Sequence, residues 1–137
     1  MKKICFNPIF LLLFGIIQPL YLLAQSTKYA AEEGVIVGKN IGLYNNRPLY
    51  INNTNAFILT GDQPVARLVK GEYLFGTFML AIERKGKIKW LQQCEQITSI
   101  YHTGKMAWNI TDQSFPGLKV NLEILPIAST TGMAVKA

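Results

Sequence analysis

In "LKVNLEILP", residues 118–126, apolar and polar side chains alternate one for one. Leu118, Val120, Leu122 and Ile124 fall on one side of an extended chain, and Lys119, Asn121 and Glu123 on the other. A period of two belongs to strands, because successive side chains point to opposite faces. The pattern returns in "KIKW", where Ile88 and Trp90 oppose Lys87 and Lys89. It returns again in "KMAWNIT", where Met106, Trp108 and Ile110 oppose Ala107, Asn109 and Thr111. No comparable stripe at helical spacing follows residue 25. A chain patterned this way buries its apolar side by packing sheets face to face, so the expected fold is all-β, an antiparallel β-sandwich.

Turn residues punctuate the strands. Asn45-Asn46-Arg47-Pro48, Gly61-Asp62-Gln63-Pro64, Lys85-Gly86, Thr103-Gly104 and Phe115-Pro116-Gly117 recur often enough for a sandwich or barrel. Lys85-Gly86 is expected to close a hairpin, with Gly86 supplying positive φ. The expected strands cover residues 34–37, 47–51, 56–60, 66–69, 74–83, 87–93, 96–102, 106–112, 119–125 and 132–136. They are expected to pair sequentially. Residues 73–83 are apolar on both parities and read as covered on both faces.

The N-terminus carries its own signal. Lys2 and Lys3 precede an apolar run over residues 9–23, and Ala24 then gives way to a polar stretch. That order is the layout of a secretory signal peptide, here a helical segment over residues 1–24. The competing reading is an uncleaved anchor, although the run is shorter than the roughly 20 apolar residues of a spanning helix. Export predicts a periplasmic or secreted protein that meets the membrane only through this segment, before cleavage. Residues 25–33 read as a polar leader and 34–137 as the β-sandwich domain. The apolar run beginning at "TTGMAVKA" reads either as a domain cut from a larger protein or as a last strand at the physical end.

Removing residues 1–24 leaves 113, enough for one core. It also removes Cys5. Cys94 alone can form neither an internal disulfide nor a thiolate zinc site, and reads as a small buried hydrophobe. Fourteen Lys and Arg face eight acids; without Lys2 and Lys3 the excess is four. Much of it lies in "ERKGKIK", which reads as a solvated turn without a nucleic-acid motif, so no nucleic-acid partner is expected.

Catalytic chemistry is weakly supported. His102 is the single histidine, beside a turn, with no local nucleophile or orienting partner. Asp62 in "TGDQP" and Asp112 in "ITDQSFPG" sit at turns, where an Asp commonly accepts from its own following amides. No catalytic residue, metal ligand or cofactor is assigned. The aromatic and amide residues support a different chemistry. Sugar rings stack on exposed aromatic faces while amides bond the hydroxyls. Trp90 and Trp108 read as core by parity, which leaves Tyr44 and Tyr50, with Asn52 and Asn53, as the candidate ligand-binding group. The same amides are also explained as turn residues flanking the strand at 56–60.

The runs "NRPLYINNTNAFILTGDQPVARL" and "KIKWLQQCEQITSIYHTGKMAWNITDQSFPGLKVNLEILPIA" add a resemblance. They resemble the N-terminal β-sandwich of large exported bacterial proteins of uncharacterised function, themselves similar to glycoside hydrolases with a six-hairpin, glucoamylase-like barrel. The resemblance spans residues 34–137 and rests on structural motifs such as N-R-P-L-Y, G-D-Q-P and F-P-G. It implies a supersandwich-like, non-catalytic accessory module, a fragment whose partner is a catalytic domain of the same parent, with polysaccharide as a further partner. Two alternatives stand beside it. One is a stand-alone glycan-binding protein; the other is a small hydrolase using His102 and a carboxylate.

Overall fold

A computed structural model describes residues 29–41, 47–51 and 55–137. The segment read as a signal peptide, residues 1–24, lies outside these residues. The described chain forms twelve strands in antiparallel sheets and one short 3-10 turn. In order they are β1 (Tyr29–Glu32), β2 (Val35–Lys39), β3 (Arg47–Tyr50), β4 (Ala56–Thr60), β5 (Val65–Lys70) and β6 (Tyr73–Met79), followed by β7 (Ala81–Arg84) and β8 (Lys87–Trp90). After the 3-10 turn Leu91–Gln93 come β9 (Gln96–His102), β10 (Lys105–Thr111), β11 (Lys119–Pro126) and β12 (Met133–Lys136).

The strands divide into a six-stranded sheet, β1-β2-β9-β10-β11-β12, a four-stranded sheet, β3-β4-β5-β6, and the separate hairpin β7-β8. The all-β, sandwich-like expectation holds. Every strand pairing joins neighbours in sequence except one, β2 with β9, and the four-stranded sheet and the hairpin are inserted between those two strands. Asn40 fixes this junction. Its side-chain Oδ1 accepts from the Ile97 amide, and its own amide donates to the Ile97 carbonyl, each at 2.8 Å. Asn40 does so at a φ of 50°, a left-handed conformation that Asn tolerates better than most residues.

The core lies between the two larger sheets. Met106, Trp108 and Ile110 of β10 and Leu122 and Ile124 of β11 face Leu49, Ala56, Ile58 and Ala66 of the smaller sheet. Leu91 and Cys94, around the 3-10 turn, close one end. On β4 and β11 these residues alternate with less buried ones, as strand geometry requires. Full burial of one such Leu or Ile contributes about 1.5–3 kcal/mol. The Trp108 indole N–H also donates to the Gly61 carbonyl at 3.1 Å, which ties β10 to the β4–β5 loop.

Three expectations are corrected. The stretch read as a leader over residues 25–33 contributes β1, which pairs with β2 from Tyr29↔Gly38 to Glu32↔Val35; its small side chains suit an exposed edge strand. The long strand expected at 74–83 breaks at Leu80 into β6 and β7, which belong to different sheets. Among the described residues its two-sided cover is also absent. β6 is the last strand of its sheet, so its outer face and free edge carry exposed apolar groups.

Candidate functional site

Register decides which side chains share a face, since directly opposed residues of an antiparallel pair project together. Across the smaller sheet, Tyr50 opposes Phe57, Phe57 opposes Val69, and Val69 opposes Leu74. These four make an apolar row on the face turned away from the core. The next rows hold Pro48, Leu59, Arg67 and Thr77, then Val65 and Met79. Tyr50 is 73% exposed and tilts against Phe57, with ring centroids 6.4 Å apart and planes at 50°.

The face continues onto the hairpin. Phe78, Leu80 and Ile82 pack on the core, so Met79 and Ala81 between them point outward. Ala81 opposes Trp90, and Glu83 opposes Ile88. Trp90 and Ile88 are therefore also turned outward, 43% and 67% exposed, where parity had read them as core. The reason is that Ile82 takes the inward side of this hairpin, and its cross-strand partner Lys89 goes with it. Leu74 and Phe75 are 57% and 64% exposed. A register shift between Leu68 and Val69 leaves Phe75 as an extra residue on the free edge. An exposed apolar surface of this extent marks an interaction site in soluble proteins.

Two buried aspartates organise the loops around these surfaces. Asp62 lies between the sheets. It accepts from Ser99 Oγ at 2.7 Å and from the Tyr29 hydroxyl, and Arg47 stands 3.6 Å away. The Arg47 guanidinium also lies over the Tyr29 ring, 4.8 Å from its centroid, and 5.7 Å from that of Tyr101. Burial, then the Asp62 carboxylate, pushes the Tyr29 phenol up. Asp62 thus takes cross-sheet partners, which its place at a turn did not announce.

Asp112 does accept from its own turn, at Ser114 N (2.8 Å), and also from Glu95 N (3.1 Å) and Lys89 Nζ (2.6 Å). The Lys89 ammonium, against the opposing pull of burial and with help from the Ser114 amide, holds its carboxyl well below the usual carboxylate range. The Lys89 ammonium is raised by the same bond. Burial pushes the nearby Cys94 thiol up, which suits the inert packing role expected of it.

The Asp112 loop and the β7–β8 hairpin enclose a groove of about 320 Å³ lined by Arg84, Lys85, Lys87, Ser114, Phe115 and Pro116. Arg84 Nη1 donates across it to the Pro116 carbonyl at 3.1 Å. On the far side of Phe115 and Pro116 lies a second depression of about 270 Å³, lined in part by Gln96, Thr111 and Lys119.

Of the expected ligand-binding group, Tyr50 lies on the exposed face, while Tyr44, Asn52 and Asn53 fall outside the described residues. His102 borders an open depression with Glu32, Glu33 and Val35, and among the described residues it forms no ion pair. Among the described residues, no three His, Cys, Asp or Glu side chains are grouped to hold a metal. The outward place of Trp90 is not legible in KIKW, which offers two apolar residues on one parity with no sign that Ile82 claims the inward side.

Residues 73–137, β6 to the last strand, match a family described as a domain of unknown function (DUF4450). No curated protein matches the chain, and no solved structure does.

Proposed function

We propose that the chain is a non-catalytic accessory β-sandwich module of an exported, glycoside-hydrolase-like protein, and that its uncovered sheet face seats a catalytic domain of the same parent. The continuous outward row of Tyr50, Phe57, Val69 and Leu74, extended by Met79 and Trp90, carries this reading. Apolar area left in water on a folded domain is recovered when a partner covers it, at about 25 cal/mol per Å² before association costs. The free edge of β6 adds unpaired backbone groups that a neighbouring domain can satisfy. Asp62 and Asp112, the two most buried acids, are spent on holding loops. The N-terminal Lys2, Lys3 and the apolar run after them support export. The glucoamylase-like resemblance supplies the kind of parent.

A second reading, a stand-alone glycan-binding protein, is favoured by one observation: Tyr50 and Trp90 both present exposed aromatic rings.

The reading frame that carries this chain should continue past Ala137 into a long helical domain. Supplied as a separate chain, that domain should bind, and Leu74→Lys combined with Met79→Lys should abolish the binding. A frame encoding no such domain, together with glycan binding lost in Tyr50→Ala, would favour the second reading. Cleavage of a polysaccharide by the chain alone would overturn both.

A further inference from the structure

The basic run "ERKGKIK" has a use beyond solubility, and it lies on the side of the hairpin opposite Trp90. In β7–β8, Arg84 opposes Lys87, on the same face as Ile82 and Lys89. The turn between them is tight, with Lys85 at φ 52° and Gly86 at φ 76°. Three exposed cations are therefore held within four positions, and all three line the groove against the 112–118 loop. Among the described residues none of the three forms an ion pair. The wall opposite them is fixed: Asp112 holds Ser114, and the Phe115 and Leu118 amides close the loop onto Asp112 and Phe115 carbonyls at 3.1 and 3.0 Å. Arg84, donating to Pro116 O, is already oriented across the groove.

We infer that this groove is a binding site for an acidic polysaccharide, with Arg84, Lys85 and Lys87 receiving its carboxylate or sulfate groups. One exposed ion pair is worth little, since solvent and salt screen it. Several cations along a groove gain from a ligand that presents repeated anions and releases its counterions. The neighbouring depression extends the track, because it shares Phe115 and Pro116 and adds Lys119, Gln96 and Thr111. Asp112 and Glu95 also line that depression; the Asp112 charge is met by Lys89. A nucleic acid fits less well. Single-stranded binding uses exposed aromatic rings for base stacking, and the one ring in the groove, Phe115, is buried as its floor. The choice of a saccharide rests on the glycan-handling reading above; the anion site itself rests on the groove.

Calorimetric titration of the full chain tests it with four probes: an oligogalacturonate, a heparin oligosaccharide, a neutral cello-oligosaccharide and an oligo-dT. Binding of one or both acidic saccharides is expected, weakening as salt rises. Arg84→Glu with Lys87→Glu should weaken it about tenfold or more, whereas Lys39→Glu with Lys136→Glu, an equal charge change elsewhere, should alter it less than about threefold. Lys87→Gln with Lys85→Gln repeats the test without reversed charge if the first pair misfolds. Equal loss in the control pair, oligo-dT binding as tight as the acidic saccharides, or no acidic saccharide bound would overturn the inference. Binding of the neutral probe alone would overturn it while leaving the module reading intact.

Discussion

Asp62 and Asp112 show how one residue type at one kind of sequence position acquires two structural tasks. Both stand at turns; Asp112 serves its own turn, through Ser114, and Asp62 reaches across to Ser99 and Tyr29. Asp112 also joins three segments, β8, the residue before β9, and its own loop, through a side chain only 1% exposed. Replacing it with Ala strands the Ser114 and Glu95 amides and the Lys89 ammonium. Asp112→Ala should cost about 2–4 kcal/mol in urea unfolding, and Asp112→Asn less, since the amide oxygen still accepts from a backbone N–H. The pH dependence follows from the lowered carboxyl. A group held below its unfolded value contributes stability that is full above that value, about 3.9 for Asp, and fades as pH falls toward the folded one. Stability of the native chain should therefore drop below about pH 4 more steeply than that of Asp112→Asn. Parallel acid limbs in the two proteins would show that Asp112 is not the group responsible.

At the scale of the element, the strands with clean alternation were legible and the connections between sheets were not. β4 and β9 fall where the sequence puts them: turn residues bound β4 on both sides, and Thr103-Gly104 ends β9. The break at Leu80 was hidden, since apolar residues on both parities describe equally a buried strand and one that leaves its sheet. The β2–β9 pairing was hidden for another reason: it joins segments about sixty residues apart, and local pattern carries no information on such partners. Gly38 is the sequence mark of that junction. A Cβ there would lie 2.7 Å from Ile41 Cδ1, 2.8 Å from Ser99 Oγ and 3.0 Å from Tyr29 Cε1. Ile41 and Tyr29 meet it with the outer parts of their side chains, but Ser99 Oγ cannot yield without loosening its bond to Asp62. Gly38→Ala should lower stability by about 1–3 kcal/mol, read as a shifted urea midpoint with unchanged slope. An unchanged midpoint would mean that β2 does not sit this close to β9.

Over the whole molecule, the sandwich is asymmetric. On the outer face of the six-stranded sheet a polar row, Thr98, Asn109 and Asn121 across β9, β10 and β11, lies beside a row of smaller apolar groups, Val37, Ile100 and Ala107 next to Glu123, with no exposed aromatic ring in either row. The outer face of the four-stranded sheet carries Tyr50, Phe57, Val69 and Leu74 in the corresponding place. Of the binding residues read from sequence, Tyr50 lies on this face and the other three fall outside the described residues; the bare face itself was not legible, since no local pattern reports that a second sheet leaves its outer side uncovered. The asymmetry gives a prediction that separates stability from interaction. Leu74→Lys with Met79→Lys removes apolar area that is already in water, so the urea midpoint should move by no more than the equivalent of about 1 kcal/mol. The same pair should sharply reduce binding of a hydrophobic fluorescent dye to the native chain and suppress its concentration-dependent association, because both depend on the bare face. Ile58→Ala, a core change on the opposite side of β4, should do the reverse, costing about 2–5 kcal/mol and leaving native dye binding in place. If the lysine pair instead destabilises the fold as much as Ile58→Ala does, this face is packed against the rest of the same chain and cannot be the seat of a partner.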